Sequence, residues 1–337
     1  MKLSDFHYDL PEQLIAQQPP EQRSGARMLV VHKSSGKWED RMFADFPQFL
    51  QSDDVLAMNN SKVIPSRLLG NRPGRTGKIE VFLTEAISTD RRLWKALVKP
   101  GRKMAIGERV EFASDFAAEI LDRGEHGERT IRLDCPNVDQ ALESYGHIPL
   151  PPYIRRPDTF QDKTRYQTVF ANPPGSVAAP TAGLHFTPEI LEACRLKGAR
   201  TAHVTLHVGL GTFQPIREEQ VTANVLHQER FQIASEDWQQ IETASRVVAV
   251  GTTTVRTIES AMQTTLLSGS TDIFIYPGFQ FQRVNALLTN FHLPQSSLLL
   301  LVCAFGGTEL MLDAYRHAVK EEYRFFSYGD CMLIIHS

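Results

Sequence analysis

Hydrophobic periodicity changes once along this chain, and that change limits the folds open to it. Between residues 79 and 134 the apolar residues come in strand-length runs, at 79–84, 92–98, 109–112, 118–121 and 129–133. Turns such as Pro100-Gly101-Arg102 and Arg123-Gly124 separate them. Short runs at that spacing predict a small β-barrel or sandwich. Residues 138–145 then suit two helical turns that break at Gly146, and Pro149, Pro151, Pro152 and Pro157 make a stiff extended connector. Beyond it strands predicted at 201–208, 247–250, 272–276 and 332–335 alternate with helices at 236–244, 253–267, 297–305 and 309–323. Such alternation builds layered α/β structures.

At 337 residues the chain exceeds what one hydrophobic core usually serves. Residues 55–60 read as a further strand of the α/β layer. The expected fold is therefore a layered α/β catalytic domain, from residues 1–62 and 148–337, with a small antiparallel β-barrel domain inserted at 63–147. Cys135, Cys194, Cys303 and Cys331 lie far apart without C-x-x-C pairing, which argues against structural zinc and for a reducing compartment. Residues 1–13 carry no signal-peptide apolar run, and the longest apolar stretch, 298–305, is far too short to span a bilayer. A soluble, cytoplasmic protein with no membrane partner is expected.

The formal net charge of −3 gives no global nucleic-acid signature, so local charge carries the argument. Residues 61–79 hold Lys62, Arg67, Arg72, Arg75 and Lys78 with no acidic residue, interleaved with proline and glycine. That composition suits a flexible loop on a phosphate backbone, with a solvated linker as the competing reading. Arg155 and Arg156, with Lys163 and Arg165, flank Tyr153, Phe160 and Tyr166. Rings beside cations suit single-stranded RNA, although Asp158 and Asp162 equally allow a surface ion-pair network.

Residues 178–186, A-A-P-T-A-G-L-H-F, are poor in packing bulk and are read as shaped for a ligand. Gly183 allows close approach, Thr181 offers a hydroxyl and His185 an imidazole. Thr187 as N-cap and Pro188 at the first helical position start a helix that Gly198 stops. In 202–208 the strand period puts His203, Thr205 and His207 on one face and Val204, Leu206 and Val208 on the other. On a strand the two imidazoles begin roughly 13 Å apart, against about 4 Å across a zinc coordination sphere, so shared zinc is disfavoured. Gly209, Gly211 and Thr212 follow as a glycine-rich strand end, for which a plain turn is the competing reading. Gly251, Thr252, Thr253 and Thr254 form a strand-to-helix turn ahead of Arg256, and neither a dinucleotide fingerprint nor a Walker loop is present. Asn290 and His292 end another apolar run, His227 and Glu229 offer an acid/base pair or a charged strand edge, and Asp330 follows the aromatic run holding Phe326 and Tyr328.

Taken together, these blocks resemble the S-adenosylmethionine:tRNA ribosyltransferase-isomerase family of queuosine biosynthesis. The blocks are residues 6–15, 59–64 with Asn59 and Asn60, 146–154, 166–169 with Tyr166 and Gln167, 178–186, 205–213, 250–256, 289–293 and 323–330. Leu226-His227-Gln228-Glu229 departs from the family's more typical Met-His-Ser-Glu but keeps the histidine and carboxylate. The resemblance implies transfer and isomerisation of the ribosyl moiety of S-adenosylmethionine onto 7-aminomethyl-7-deazaguanine at the tRNA wobble position. Epoxyqueuosine-tRNA, adenine and methionine are the implied products. S-adenosylmethionine is then a consumed substrate, no cofactor or metal is expected, and the chain is expected to act as a monomer. A base must remove a C5′ proton acidified by the sulfonium, and the departing adenine needs a proton or hydrogen bond. His185, His207 and His292 are the candidate bases, with His227 and Glu229 as a reserve pair; Asp330 is a candidate ligand anchor. The competing classes are a non-enzymatic RNA-binding protein and a metal-dependent hydrolase.

Overall fold

The computed structural model describes residues 2–125, 127–209, 226 and 228–336. In chain order the strands begin with β1 (Arg27–His32), β2 (Lys37–Met42), β3 (Val55–Asn59) and β4 (Lys62–Val63). Next come β5 (Arg67–Asn71), β6 (Lys78–Ala86), β7 (Leu93–Lys99), β8 (Arg109–Ala113), β9 (Phe116–Arg123) and β10 (Glu128–Asp134). The remainder are β11 (Pro174–Ser176), β12 (Arg200–Leu206), β13 (Glu229–Ile233), β14 (Val247–Val250), β15 (Ser268–Thr271), β16 (Ala286–Asn290) and β17 (Cys331–Ile335). The α-helices are α1 (Val138–Tyr145), α2 (Asp162–Arg165), α3 (Pro188–Leu196), α4 (Ser235–Thr243), α5 (Thr252–Thr264), α6 (Ser297–Gly306) and α7 (Thr308–Lys320).

Nine strands form one mixed sheet in the order β15-β13-β12-β3-β14-β16-β17-β1-β2. Successive side chains on a strand face opposite sides, and here both sides are covered. Val55, Ala57, Val247, Ala249 and Leu287 enter one core with Val255 and Ile258 of α5. Leu56, Met58, Val248, Val250 and Leu288 enter the other with Phe43, Phe46 and Phe186. Double coverage is why these strands read as unbroken apolar runs.

The six strands β5 to β10 close into a barrel, in the order β10-β7-β6-β5-β8-β9. Leu68, Val81, Trp94, Ile120 and Ile131 fill it, as side chains fill other small barrels. Helix α1 adds Val138, Ala141 and Leu142 to that core, and the Asn137 side chain caps it by accepting from the Gln140 amide at 3.0 Å.

Two elements differ from the sequence-based expectation. Residues 272–276 are not a strand: the ladder partner of β13 is the preceding β15, Ser268–Thr271. Phe274 and Ile275 are buried as irregular chain, so their apolar character reflects packing and not pairing. Residues 61–79 are not one loop either, because β4, β5 and the start of β6 lie within them. All four cysteines are buried and unpaired. Among the described residues no single helix is long and apolar enough to cross a membrane.

Strands β12, β3, β14 and β16 run parallel, so their carboxyl ends lie along one edge of the sheet. Antiparallel β17 brings its amino end to that same edge, with Cys331 opposite Asn290. Crevices at such carboxyl edges are where open α/β sheets bind ligands.

Candidate active site

A cleft opens at this edge. Gly251, Thr252 and Thr253 line it after β14, and Thr289, Asn290, Phe291 and His292 line it at the end of β16. Gly251 has a φ of 89°, a conformation that side-chain-bearing residues rarely adopt, which lets the chain turn from strand into α5 with that helix's amino end in the cleft wall. The amide groups there favour acceptor or anionic ligand atoms. Thr181 enters from a short 3-10 helix, Thr181–His185, set by the start of α3: the Thr187 hydroxyl accepts from the Ile190 amide at 3.3 Å, with Pro188 at the first position.

Tyr153, from the proline-rich connector, covers the opposite side. Its ring stacks on Phe326 with centroids 4.5 Å apart, and its hydroxyl bonds Ser327 Oγ at 2.6 Å. Phe326 has a φ of 69°, which costs a bulky residue on the order of 1–3 kcal/mol and is tolerated only where surrounding contacts enforce it. Sequence patterns do not single out Thr289 and Ser327 as site residues, and they offer Tyr153 as an RNA-stacking ring and not as part of this cleft. The run P-P-Y is the available signal for Tyr153, an aromatic side chain beside rigid prolines.

Among the described residues, none of those lining the cleft is aspartate, glutamate, lysine or arginine. His292 is the histidine in the lining, 8% exposed, with Nε2 2.7 Å from the Thr289 hydroxyl. Burial pushes its imidazole down to about 3, so it stays neutral at physiological pH. Tyr315 accepts from the His292 amide at 3.1 Å and Tyr8 donates to the His292 carbonyl, which fixes the backbone that carries the ring. His185 lies behind the cleft wall, where burial pushes it down to about 4 and Nε2 meets Asn290 Nδ2 at 3.3 Å. His207 is half-buried away from the cleft lining, packed against Gly175, and lowered by burial and then by Arg230.

Thus Thr181, Gly251, Thr252, Thr253, Asn290, His292 and Phe326 converge on the cleft, and the other candidates take different places. Asn59 donates to the Leu206 carbonyl and to Thr253 Oγ1, at 3.1 and 3.2 Å, and accepts from the Leu206 and Ser61 amides. Asn60 Oδ1 accepts from Thr205, Gln167 bonds both backbone groups of Val63, and Thr254 bonds back to the Val250 carbonyl. Tyr166 is buried in a satellite core with Tyr328, whose hydroxyl donates to Asp162 at 2.7 Å. Gly183 is dictated by packing: a Cβ there would sit 2.7 Å from Thr168 Cγ2 and 2.8 Å from Phe170 Cζ. Glu229 pairs with buried Arg256 and accepts from the Gly209 amide at 2.9 Å, tying β13 to α5. Asp330 accepts from the backbone amides of Arg27 and Arg324, at 2.8 and 2.7 Å, and so ties the start of β1 to the turn before β17; burial raises its carboxyl above the usual range. Gly211, Thr212 and His227 lie outside the described residues. Among the described residues no cluster of three or more histidine, cysteine or acidic side chains could hold a metal.

The basic candidates divide by pairing. Arg67 bonds Glu80 at 2.9 Å, Arg155 pairs with Glu12, and Arg156 makes a two-pronged bond to Asp162 at 2.7 and 2.8 Å. In the second cluster Arg155 and Arg156 both take part in ion pairs. Lys62, Arg75 and Lys78 are exposed and Arg72 is half-buried; the last three frame the turn from β5 to β6.

The sequence matches the queuosine biosynthesis protein family over residues 3–334. It is 54% identical over 352 residues to the S-adenosylmethionine:tRNA ribosyltransferase-isomerase of Solibacter usitatus, covering 99% of this chain and 100% of that one. The protein of the same name from Desulforamulus reducens is 49% identical over 345 residues, at 99% and 100% coverage. The crystal structure of S-adenosylmethionine tRNA ribosyltransferase from Thermotoga maritima aligns with a TM-score of 0.56 at 38% identity, covering 98% of this chain and 100% of that one. Matched from end to end by the family profile and by relatives at about half identity, this chain belongs to the queuosine biosynthesis protein family.

Proposed function

We infer that this chain is an S-adenosylmethionine:tRNA ribosyltransferase-isomerase, a transferase of queuosine biosynthesis. The observation that carries this is its full-length similarity, at 54% and 49% identity, to relatives bearing that name. In the proposed reaction the ribosyl moiety passes to 7-aminomethyl-7-deazaguanine at the tRNA wobble position, and adenine and methionine leave. S-adenosylmethionine is consumed, and neither a metal nor a cofactor takes part. The protein acts as a cytoplasmic monomer.

His292 is the proposed base for the C5′ proton. It lines the cleft, and burial keeps it in the unprotonated form that a base requires. The amino end of α5, lined by Thr252 and Thr253, offers donors to acceptor atoms of the substrate.

The test is incubation with S-adenosylmethionine and tRNA carrying 7-aminomethyl-7-deazaguanine, in EDTA, with mass analysis of nucleosides and of the released base. Epoxyqueuosine, adenine and methionine are expected together; bound tRNA without product would refute the reading. The exposed turn residues Arg75 and Lys78 are the proposed phosphate contacts. Changing both to Gln is expected to lower the slope of log K against log salt for tRNA by about 1.4 to 1.8, while KM for S-adenosylmethionine is unchanged. An unaltered slope would remove this turn from the tRNA surface.

A further inference from the structure

Among the described residues lining the cleft, one buried side-chain polar atom is left without a partner. Asn290 is 3% exposed, and its Oδ1 is buried with no hydrogen bond. The identity of that atom follows from its sister. Nδ2 lies 3.0 Å from the Phe326 carbonyl, 3.3 Å from the Asp330 carbonyl and 3.3 Å from His185 Nε2. Turning the amide over would press its oxygen against two carbonyl oxygens, so the amino group must face them. The planar amide then holds an acceptor on its other arm, at a residue that lines the cleft. Buried acceptors are normally bonded, and one left open in a binding cleft awaits a donor from the ligand.

The lining narrows the class of donor. Among the described residues it contains no aspartate or glutamate, so an ammonium group finds no counter-charge among them. Phe326, Tyr153 and Pro180 offer flat and apolar surface suited to a neutral heteroaromatic ring. Of the two bases in the proposed reaction, adenine is neutral, whereas the aminomethyl-deazaguanine carries an amine. Resting on the proposed function, we propose that Asn290 is a specificity residue whose Oδ1 accepts a hydrogen bond from the exocyclic amine of the adenine of S-adenosylmethionine. Its contacts to Phe326, Asp330 and His185 serve to aim that oxygen. The bond strengthens as the leaving base gains a ring proton and its amine becomes a better donor, so it acts on turnover as well as on binding.

The experiment compares S-adenosylmethionine with its analogue bearing hydrogen at purine C6, in the wild-type protein and in Asn290→Ala. Loss of the amine is expected to lower wild-type kcat/KM roughly tenfold to a hundredfold, with KM for tRNA unchanged. In Asn290→Ala the two donors are expected to be used within about threefold of each other, because neither any longer meets an acceptor. Equal wild-type use of both donors overturns the assignment, and that result does not depend on whether the variant folds. Discrimination that persists in Asn290→Ala also overturns it and makes Asn290 structural. A raised KM for tRNA in the variant, with donor discrimination intact, moves the contact to the tRNA base and likewise refutes it. Absence of turnover with S-adenosylmethionine itself would count against the proposed function, which the wild-type control reads separately.

Discussion

Replacing His292 by asparagine is expected to lower kcat by roughly 10²- to 10⁴-fold, the usual contribution of a positioned general base. Asparagine has no proton-accepting imidazole nitrogen. KM for tRNA is expected to stay within a few fold, since His292 lies in the small-molecule cleft and not on the exposed basic turn. The pH dependence provides a second reading. A base whose imidazole is pushed down to about 3 is unprotonated throughout the physiological range and loses activity only as pH falls towards that value. No imidazole limb in kcat is therefore expected between pH 5 and 8. Adenine release under saturating substrates, measured across that range, checks both. A variant that keeps full turnover, or a wild-type limb near pH 6 to 7, would transfer the role to another group.

The largest stability effect is expected at Asp162. Its side chain is 2% exposed and accepts from Arg156 through both prongs, from the Thr159 amide and hydroxyl at 2.7 and 2.9 Å, and from the Tyr328 hydroxyl at 2.7 Å. Asp162→Ala leaves the Arg156 guanidinium, itself 15% exposed, without its carboxylate. Breaking such a pair is expected to cost about 3–5 kcal/mol and to lower the melting temperature by about 10 °C. Activity should fall as well, because Tyr328 anchors the loop that carries Phe326 and Ser327 into the cleft. Burial pushes the Asp162 carboxyl up, but the bonds from Arg156, Tyr328 and Thr159 outweigh it and hold the group well below the usual carboxylate range. The sign follows: its contribution is complete above the unfolded value of about 3.9 and is lost as pH falls through the folded one. Thermal melts at pH 7 and at pH 3 should therefore differ less in the variant than in the wild type. Equal stability of the two proteins at pH 7 would refute the assignment.

Elements dictated by local chemistry are legible in the amino-acid sequence. The cap and proline at Thr187-Pro188 start α3, and the break at Gly146 ends α1, because both depend on residues within one turn. Val247–Val250 is legible as a strand because a doubly covered strand is apolar throughout. The same rule misleads at 272–276, where Phe274 and Ile275 are buried without a ladder partner. Burial and strand pairing leave one hydrophobic signature, and only the neighbour's hydrogen bonds separate them.

At the site, sequence alone determined the residue types and the points where strands end, and with them the family and the expectation of a sheet-edge site. Tertiary structure alone decided which candidates share a cleft. Strand order puts Asn290 and His292 beside Gly251 while leaving His207 outside the lining. Tyr153 meets Ser327 across 174 residues. Which carboxylates Arg67, Arg155 and Arg156 meet, Glu80, Glu12 and Asp162, was likewise set by the fold. Turns and caps are written in neighbouring residues, but the partners of a buried amide, imidazole or guanidinium are set by which strands lie side by side, and no local pattern carries that information.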